Sequence, residues 1–363
     1  MKRRTFLGLA SLAAALGLPS LTMATEAGAI APGGPTEGLP DPMEPLVENA
    51  DHRQTIIKVV GVGGAGCYTV NHMIQGHVRG VYTYCFDTDS EMLLRSRPDF
   101  RFKVGSGPGF GAGGKPKIGR DLAIEDSGRI AMLLRGAQLV FIVAGLGGGT
   151  GTGASPVVAA VAREMGILTV AVVTMPFACE GRRMTTAERG LSELASNVDS
   201  LIVVSNEGLL DGLGDQVSML DAFRASDDVL KIAVSGVAEI LNAQGIINVA
   251  FDDVREVMGN MGRGVVGYGT ASGVKRAQIA AEKALISPLC EDIELSAARS
   301  VVVNITAGCQ LGMREVRDVM ATIREQVSQE ASLVFGTVYD GSIGDQLRVT
   351  VIAGRARGSL RKL

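Results

Sequence analysis

The chain lacks tryptophan, and only 4% of its 363 residues are aromatic. Its five cysteines are odd in number, scattered and without any CxxC pair, which excludes a disulfide framework and a zinc site and fits a reducing compartment. The net charge of −3 gives no electrostatic reason to expect nucleic-acid binding. The pattern G-x-x-x-x-G-K-[ST] is also missing, so the chain is not a P-loop NTPase.

Glycine, by contrast, is abundant, with 48 residues, and its densest run is GGGTGTG at 147–153. An apolar segment at 139–144 precedes this run and predicts a strand, while the segment at 155–165 predicts a helix. Backbone N–H groups in such a loop can surround an anion at a helix N-terminus, where the helix dipole also favours negative charge. The run therefore indicates an anion-binding loop between a buried strand and a helix.

Strand and helix patterns alternate along most of the chain, which predicts an α/β fold with a parallel sheet. Before residue 210 the predicted strands are 55–60, 81–86, 139–144, 168–174 and 200–204, and the predicted helices are 68–75, 119–135 and 155–165. A long amphipathic helix is expected over 219–241. After residue 260, helices at 272–285 and 313–328 and strands at 299–306, 332–338 and 346–353 predict a second, smaller α/β domain.

Two further glycine loops accompany the first. GVGGAG at 61–66 follows the first strand, and Asp87 lies 21 residues beyond Gly66, a spacing typical of a dinucleotide-binding fingerprint. An NAD(P)-dependent oxidoreductase is therefore one interpretation, but it leaves the loops at 109–114 and 147–153 unexplained. Three glycine loops at the ends of a parallel sheet favour a nucleotide with several phosphates.

Residues 54–354 resemble FtsZ, the bacterial relative of tubulin. The resemblance rests on GGGTGTG at 147–153, GAGGKPKIGRDLA at 111–123, TMPFACEGRRM at 174–184, MLDAFRASDDVL at 219–230, INVAFDDVREVM at 247–258, NITAG at 304–308 and QLRVTVIAG at 346–354. It implies a tubulin/FtsZ-like α/β fold: a Rossmann-like parallel-sheet GTPase domain at 54–218, a central helix at 219–243 and a smaller α/β activation and assembly domain at 244–354.

The resemblance also implies a GTP/GDP site, with Mg²⁺ accompanying the nucleotide and no residue assignable as its ligand. Glu180 matches the acid that contacts the ribose, and Arg183 the arginine near it. Asn206, Phe223 and Asp228 match the guanine-recognition positions, although ordinary core packing is an alternative for Phe223. The matched phosphate-binding positions are Gly63, Gly64, Ala65, Gly66, Cys67, Tyr68, Gly147, Gly148, Gly149, Thr150 and Gly151.

FtsZ-like proteins hydrolyse GTP between subunits, with two acids in the pattern Asn-x-Asp-Phe-x-Asp. This chain has NVAFDD at 248–253, so Asp253 remains as the catalytic acid and Ala250 replaces the other. Loss of an acid that orients water costs on the order of 10²–10⁴ in rate. We therefore expect head-to-tail homo-filaments with weak GTP hydrolysis. A non-hydrolysing regulator that co-assembles with the host's FtsZ is an alternative, and the oxidoreductase is an alternative of another class.

The N-terminal segment and the body of the chain give conflicting expectations for the location of the protein. Residues 1–29 combine Arg3-Arg4, an uncharged run and Ala27-Gly28-Ala29, which predicts a twin-arginine signal, and residues 30–53 predict a Pro/Gly-rich linker. The GTPase body and free cysteines favour the cytoplasm instead. Residues 355–363 form a basic tail, and the C-terminal tether-binding peptide usual in FtsZ proteins is not found.

The signal interpretation predicts that a reporter fused after residue 53 reaches the membrane or the periplasm. Changing Arg3→Lys and Arg4→Lys together should retain the reporter in the cytoplasm, because the export pathway reads the arginine pair as an address rather than as charge. Cell fractionation followed by immunoblotting measures both. An unmodified fusion that stays in the cytoplasm contradicts the signal.

Overall fold

The computed structural model describes residues 54–213, 217–243, 245–286 and 295–355. The predicted signal segment, the Pro/Gly-rich linker and the basic tail beyond Arg355 lie outside these ranges.

Within the ranges given above, ten strands form one sheet in the order β3-β2-β1-β4-β5-β6-β7-β10-β8-β9. The strands are β1 Ile57–Val62, β2 Tyr82–Asp87, β3 Phe100–Lys103, β4 Leu139–Gly145, β5 Leu168–Met175, β6 Ser200–Ser205, β7 Gly262–Ala271, β8 Ser300–Ala307, β9 Ser332–Tyr339 and β10 Leu347–Gly354. From β3 to β7 all neighbours run parallel, and β10 pairs antiparallel with both β7 and β8.

Eleven α-helices connect these strands within the described residues. They are α1 Gly63–Gln75, α2 Ser90–Arg95, α3 Pro116–Glu125, α4 Ser127–Leu134, α5 Thr150–Glu164, α6 Arg182–Asn197, α7 Asn206–Leu213, α8 Met219–Asn242, α9 Phe251–Gly259, α10 Arg276–Leu285 and α11 Met313–Gln326. The parallel strands are therefore joined mainly through helices, as parallel pairing requires.

Each inner strand contributes to two cores, because successive side chains point to opposite faces. In β1, Ile57 and Val59 join the core beneath α1 and α8, whereas Val60 and Val62 join the core on the other face. This second core contains apolar residues of α3 to α6. Both faces of the parallel sheet are covered, which explains why its strands are continuously apolar rather than alternating.

Helix α8 joins the two parts of the sheet. Its first turn is capped by the Ser218 hydroxyl, which accepts from Asp221 N–H at 3.1 Å. Near its other end, the Glu239 carboxylate pairs with Arg348 of β10 at 3.1 Å and accepts from Asn304 Nδ2 of β8 at 3.1 Å. At 24 residues, α8 spans about 36 Å. It therefore forms a rigid link between the parallel strands and the β8–β10 region.

The predicted fold class is confirmed, and the structure corrects several local expectations. The first helix begins at Gly63 rather than at 68. The helix expected over 119–135 is two helices, because the buried Asp126 ends α3 and accepts from Gly105 N–H at 2.5 Å. Helix α5 begins at Thr150 rather than at 155, so the glycine run itself forms the first helical turn. Strand β7 was not predicted at all, and it joins β6 to β10.

Candidate functional site

A cavity of about 450 Å³ lies at the carboxyl edge of the parallel strands, where the glycine loops that follow β1 and β4 meet. It is lined by Gly63, Gly64, Ala65, Asp87, Asp89, Met92, Phe110, Gly111, Ala112, Gly113, Gly114, Gly145, Leu146, Gly148, Gly149, Thr150, Gly151, Thr174, Pro176, Glu180, Arg183, Asn206 and Phe223. The structure thus brings all three predicted glycine loops to one place.

The loops pack against one another through bare backbone. Gly63 has a φ of +74°, and a Cβ on it would lie 2.6 Å from the Gly151 nitrogen. A Cβ on Gly149 would lie 2.8 Å from the Cβ of Ala112 in the third loop. Gly148 differs, since a Cβ there would meet no atom within 4 Å. Gly63 and Gly149 are thus needed for the close approach of the loops, while the absence of a side chain at Gly148 keeps the cavity open.

Two helices begin at the cavity wall. Helix α1 starts at Gly63 and α5 at Thr150, and neither N-cap residue offers a side-chain hydrogen bond to the first turn. The leading N–H groups therefore remain available to an anion, which the two helix dipoles also attract. Thr150 is held by a 2.7 Å hydrogen bond between its hydroxyl and that of Thr88. This arrangement suits the phosphates of a nucleotide.

Two aspartates stand on the side of β2. Asp87 is buried, and burial raises its pKa above the ordinary value despite hydrogen bonds to its carboxylate. The Asp89 carboxylate caps α2 by accepting from Glu91 N–H at 2.9 Å. Among the described residues there is no group of three or more His, Cys, Asp or Glu side chains that could hold a metal. The protein side chains alone therefore assign no metal ligand.

The predicted ribose pair sits at the mouth of the cavity. The Arg183 guanidinium donates to Glu180 Oε2 at 2.6 Å, and Glu180 Oε1 accepts from Phe177 N–H at 2.9 Å. The Glu180 side chain is 19% exposed and that of Arg183 is 63% exposed. Glu180 is thus fixed in place with part of its carboxylate accessible, which suits hydrogen bonding to sugar hydroxyls.

Two of the three predicted base-recognition residues, Asn206 and Phe223, line the cavity. Asn206 begins α7, is buried, and accepts a hydrogen bond from the Ser226 hydroxyl of α8. The Phe223 ring packs edge-on against that of Phe177 at 5.4 Å and remains 39% exposed. An exposed aromatic face beside a buried amide can stack on a planar base and bond its edge. Phe223 is therefore more than a core residue.

Other predicted site residues do not line the cavity. Gly66 and Gly147 are buried behind the loops. Cys67 is also buried, and a hydrogen bond with Cys85 together with burial raises its pKa well above the ordinary value. Tyr68 is half exposed and lines a neighbouring cleft with Arg95. For these residues the structure indicates support of the loop or a place next to it.

Asp228 is engaged away from the cavity. Its Oδ1 accepts from Lys231 Nζ at 2.8 Å and lies 2.9 Å from His72 Nε2. Burial opposes its ionisation, but these two partners lower its pKa below the ordinary value.

The preceding residue, Asp227, is buried and accepts from the Thr69 hydroxyl at 2.5 Å, and burial raises its pKa. The Thr69 hydroxyl oxygen also lies 3.1 Å from the carbonyl oxygen of Ala65, a cavity residue. Sequence reasoning did not single out Asp227. Helical spacing could have identified Asp227. It lies four residues after Phe223 and therefore on the same face of α8, whereas Asp228 lies five residues after Phe223 and faces another direction.

Asp253 lies at the opposite edge of the sheet from the cavity. It is exposed in the first turn of α9, where Ala250 is the N-cap residue. Two hydrogen bonds hold this helix. Arg255 donates to the Gly166 carbonyl oxygen at 2.7 Å, just before β5. The Met258 carbonyl oxygen accepts from the Ser200 hydroxyl, at the start of β6. Both contacts are at the amino ends of strands whose carboxyl ends face the cavity. One chain therefore cannot bring Asp253 to its own cavity.

Family models match both parts of the chain. The model of the Tubulin/FtsZ family GTPase domain matches residues 56–214, and that of the FtsZ family C-terminal domain matches residues 262–356.

Individual relatives agree with these matches. The chain is 49% identical over 311 residues to the cell division protein FtsZ of Pseudomonas putida, which covers 85% of this chain and 78% of that protein. It is 48% identical over 320 residues to the cell division protein FtsZ of Pseudomonas aeruginosa, with 87% and 81% covered. A solved empty FtsZ dimer of M. jannaschii superposes with a TM-score of 0.80 at 35% identity, covering 86% of this chain and 95% of that one.

In the part of the chain that the structure describes, none of the helices is sufficiently long and apolar to cross a membrane.

The contrast between glycines predicts separable effects on fold and binding. Gly148→Ala should change the free energy of unfolding of the ligand-free protein by less than ~0.5 kcal/mol, since its methyl group meets open space. It should weaken GTP binding at least ~10-fold by filling the phosphate cradle, a cost of about 1.4 kcal/mol. Urea unfolding and titration calorimetry measure the two quantities.

Gly151→Ala is the matched control, because its methyl group would lie 2.6 Å from the Gly145 carbonyl oxygen. We expect it to cost about 1–3 kcal/mol of unfolding free energy. If Gly148→Ala binds GTP like the wild type, the cavity is not the phosphate site.

Proposed function

The chain belongs to the FtsZ family, and on that premise we propose that it binds GTP, assembles head to tail with copies of itself and hydrolyses the nucleotide slowly. The observation that carries the proposal is the position of the two halves of the site. The nucleotide cavity opens at the carboxyl edge of the sheet, and Asp253 stands at the amino edge. Stacking one copy on the next places these two edges against each other.

GTP fits the cavity in each of its parts. The leading N–H groups of α1 and α5 would bind the phosphates, with Gly148 leaving room for them. Glu180 would accept from ribose hydroxyls, and the Phe223 ring would stack on the base. Mg²⁺ would accompany the phosphates and neutralise part of their charge, and we assign no ligand to it among the described residues. In each case the fold presents the group before the nucleotide binds.

Hydrolysis in this arrangement depends on a second copy. The exposed Asp253 carboxylate of one copy would accept a proton from a water molecule and orient it towards the phosphates held by the next copy. A head-to-tail interface of this kind does not close on itself and therefore generates a filament. Assembly and hydrolysis are coupled because neither copy contains the complete site.

Ala250 is the reason to expect slow turnover. It caps α9, so it lies on the same side of the helix start as Asp253, three residues later. Asp252 points about 100° away from Asp253 and is a poor replacement. With a methyl group where a second carboxylate would stand, one of the two groups that position water is missing. The same change favours the second candidate, a non-hydrolysing regulator that co-assembles with the host's FtsZ.

Identification of the nucleotide that co-purifies with the protein separates the proposed classes. Guanine nucleotide supports the filament and the regulator, whereas NAD(P) supports the oxidoreductase suggested by the first glycine loop.

We further propose that the N-terminal segment governs where the protein resides.

Restoring the missing acid tests the catalytic assignment. Ala250→Asp should raise steady-state GTP turnover by ~10-fold or more, because a second carboxylate then orients the attacking water. Asp253→Ala should abolish the gain. Phosphate release measured together with light scattering separates turnover from assembly.

Asp252→Ala is the matched control, since it removes a neighbouring acid of α9 that faces elsewhere, and turnover should change by less than ~2-fold. Rapid hydrolysis by the wild type that survives Asp253→Ala would mean that other residues are catalytic.

The two neighbouring aspartates of α8 provide a test of guanine selectivity. We expect Asp227→Asn to weaken GTP binding at least ~10-fold, because a carboxylate that accepts from the base edge is worth about 1.5–3 kcal/mol. Asp228→Asn should stay within ~3-fold, since its partners are His72 and Lys231. Competition with ATP reports the selectivity. The reverse ranking would assign the role to Asp228, and equal wild-type affinities for ATP and GTP would remove the guanine assignment altogether.

A further inference from the structure

A second cleft, with a volume of about 620 Å³, lies between α1, α2 and the start of α8. Tyr68 and Asn71 of α1, Arg95 of α2 and Arg224 of α8 are among the residues that line it. Met92 is the one lining residue that the cleft shares with the nucleotide cavity, so the two spaces are neighbours with separate walls. The volume lies in the range of pockets that hold small organic ligands, and the proposed function leaves this cleft unused.

Directed hydrogen bonds fix two walls of the cleft. The Arg97 N–H donates to Asn71 Oδ1 at 2.7 Å, which holds the chain that follows α2 against α1. His72, another lining residue, lies with its Nε2 at 2.9 Å from Asp228 Oδ1 of α8. Lys231 donates to the same oxygen at 2.8 Å, so this carboxylate is already neutralised. The cleft is therefore formed before any ligand binds.

Three arginines give the cleft a positive charge. Arg95, Arg97 and Arg224 are exposed, and no Asp or Glu occurs among the described residues that line the cleft. Within the part of the chain that the structure describes, Arg97 forms no ion pair. Arg95 pairs with Glu91 and Arg224 with Asp221, but the side chains of both pairs are more than half exposed. Exposed pairs of this kind are weak, so an anionic ligand can displace the two acids.

The cleft also has an aromatic and apolar side. Tyr68 is 50% exposed and lines the cleft together with Ile74 and Met92. Its ring stacks on no other aromatic ring in the described ranges. A ring in this position is available to stack on a planar ligand.

These two properties restrict the chemistry of the ligand. A polyphosphate would pair with the arginines and leave the apolar side in contact with water. A neutral aromatic compound would stack on Tyr68 and leave three guanidinium groups without a counter-charge. A ligand with a planar base at one end and phosphates at the other satisfies both sides, and a nucleotide has this form.

We propose that the cleft binds a second nucleotide, in addition to the one in the cavity between the glycine loops. The base stacks on Tyr68, and the phosphates accept hydrogen bonds from Arg97 and Arg95, whose planar guanidinium groups match phosphate oxygens. Stacking accepts any base, so adenine nucleotides bind as well as guanine nucleotides. This separates the cleft from the first cavity, for which guanine selectivity is proposed.

The test uses the full chain and ADP that carries a fluorescent methylanthraniloyl group on its ribose, with binding followed by fluorescence anisotropy. Arg95→Ala combined with Arg97→Ala should weaken binding at least ~10-fold, because two charge-assisted contacts are lost. The matched control combines Arg189→Ala with Arg317→Ala, which removes the same charge at exposed arginines elsewhere. It should stay within ~2-fold of the wild type.

A second pair of variants tests the position of the base. Tyr68→Ala should weaken binding of the fluorescent ADP at least ~5-fold, because the stacking surface is removed. Tyr68→Phe keeps the ring and should stay within ~2-fold of the wild type. Wild-type affinity in Tyr68→Ala would overturn the proposed stacking.

Gly148→Ala distinguishes this site from the first cavity. The variant places a methyl group in the open space of that cavity and should still bind the fluorescent ADP within ~2-fold of the wild type. If Gly148→Ala abolishes binding and the Arg95→Ala, Arg97→Ala variant retains it, the probe occupies the first cavity and the second site is overturned. Failure of the wild type to bind GTP would instead contradict the proposed function and leave this result unaffected.

Competition on the wild-type protein keeps the test decisive if a variant folds poorly. Unlabelled ADP should displace the probe at concentrations at least ~10-fold lower than either tripolyphosphate or adenosine, because each of these carries only one half of the ligand. Tripolyphosphate as effective as ADP would make the cleft a simple anion site. Single-stranded RNA more effective than ADP would make it a nucleic-acid contact. Either result, or the absence of saturable probe binding, would overturn the proposal.

Discussion

The carboxyl edge of the sheet depends on close packing between the first glycine loop, at 61–66, and the second, at 147–153. A Cβ on Gly63 would lie 2.6 Å from the Gly151 nitrogen, and one on Gly66 would lie 2.3 Å from the Val143 carbonyl oxygen. Backbone must meet backbone here, and a side chain at either position would force the loops apart. The two helix N-termini that face the cavity are close together only because this contact exists.

Helix α8 connects this edge of the sheet to the β8–β10 region. Its first half carries Phe223, which lines the cavity, and Asp227, which accepts a hydrogen bond from Thr69 of α1. Its second half carries Glu239, which is held by Arg348 and Asn304. One rigid element thus connects the proposed base contacts to β8 and β10.

The sequence predicted those features that depend on local pattern. Apolar runs predicted the inner strands to within two residues, and glycine spacing predicted that three loops would form one site. It did not predict β7, whose Gly262, Gly264, Gly267 and Gly269 weaken the strand pattern and whose place depends on pairing with β6 and β10. Nor did it separate Asp227 from Asp228, because the choice depends on partners such as Thr69 and His72 that lie more than 150 residues away.

The central claim, that the hydrolytic site is shared between two copies, is tested most directly by complementation. In the Ala250→Asp background, Gly148→Ala damages only the cavity, and Asp253→Ala removes only the carboxylate of α9. Each protein alone should hydrolyse GTP very slowly. An equimolar mixture should recover roughly a quarter of the parent activity, because random head-to-tail pairing places an intact cavity against an intact Asp253 in about one interface in four. A mixture no more active than its components, under conditions where light scattering shows joint assembly, would contradict a shared site.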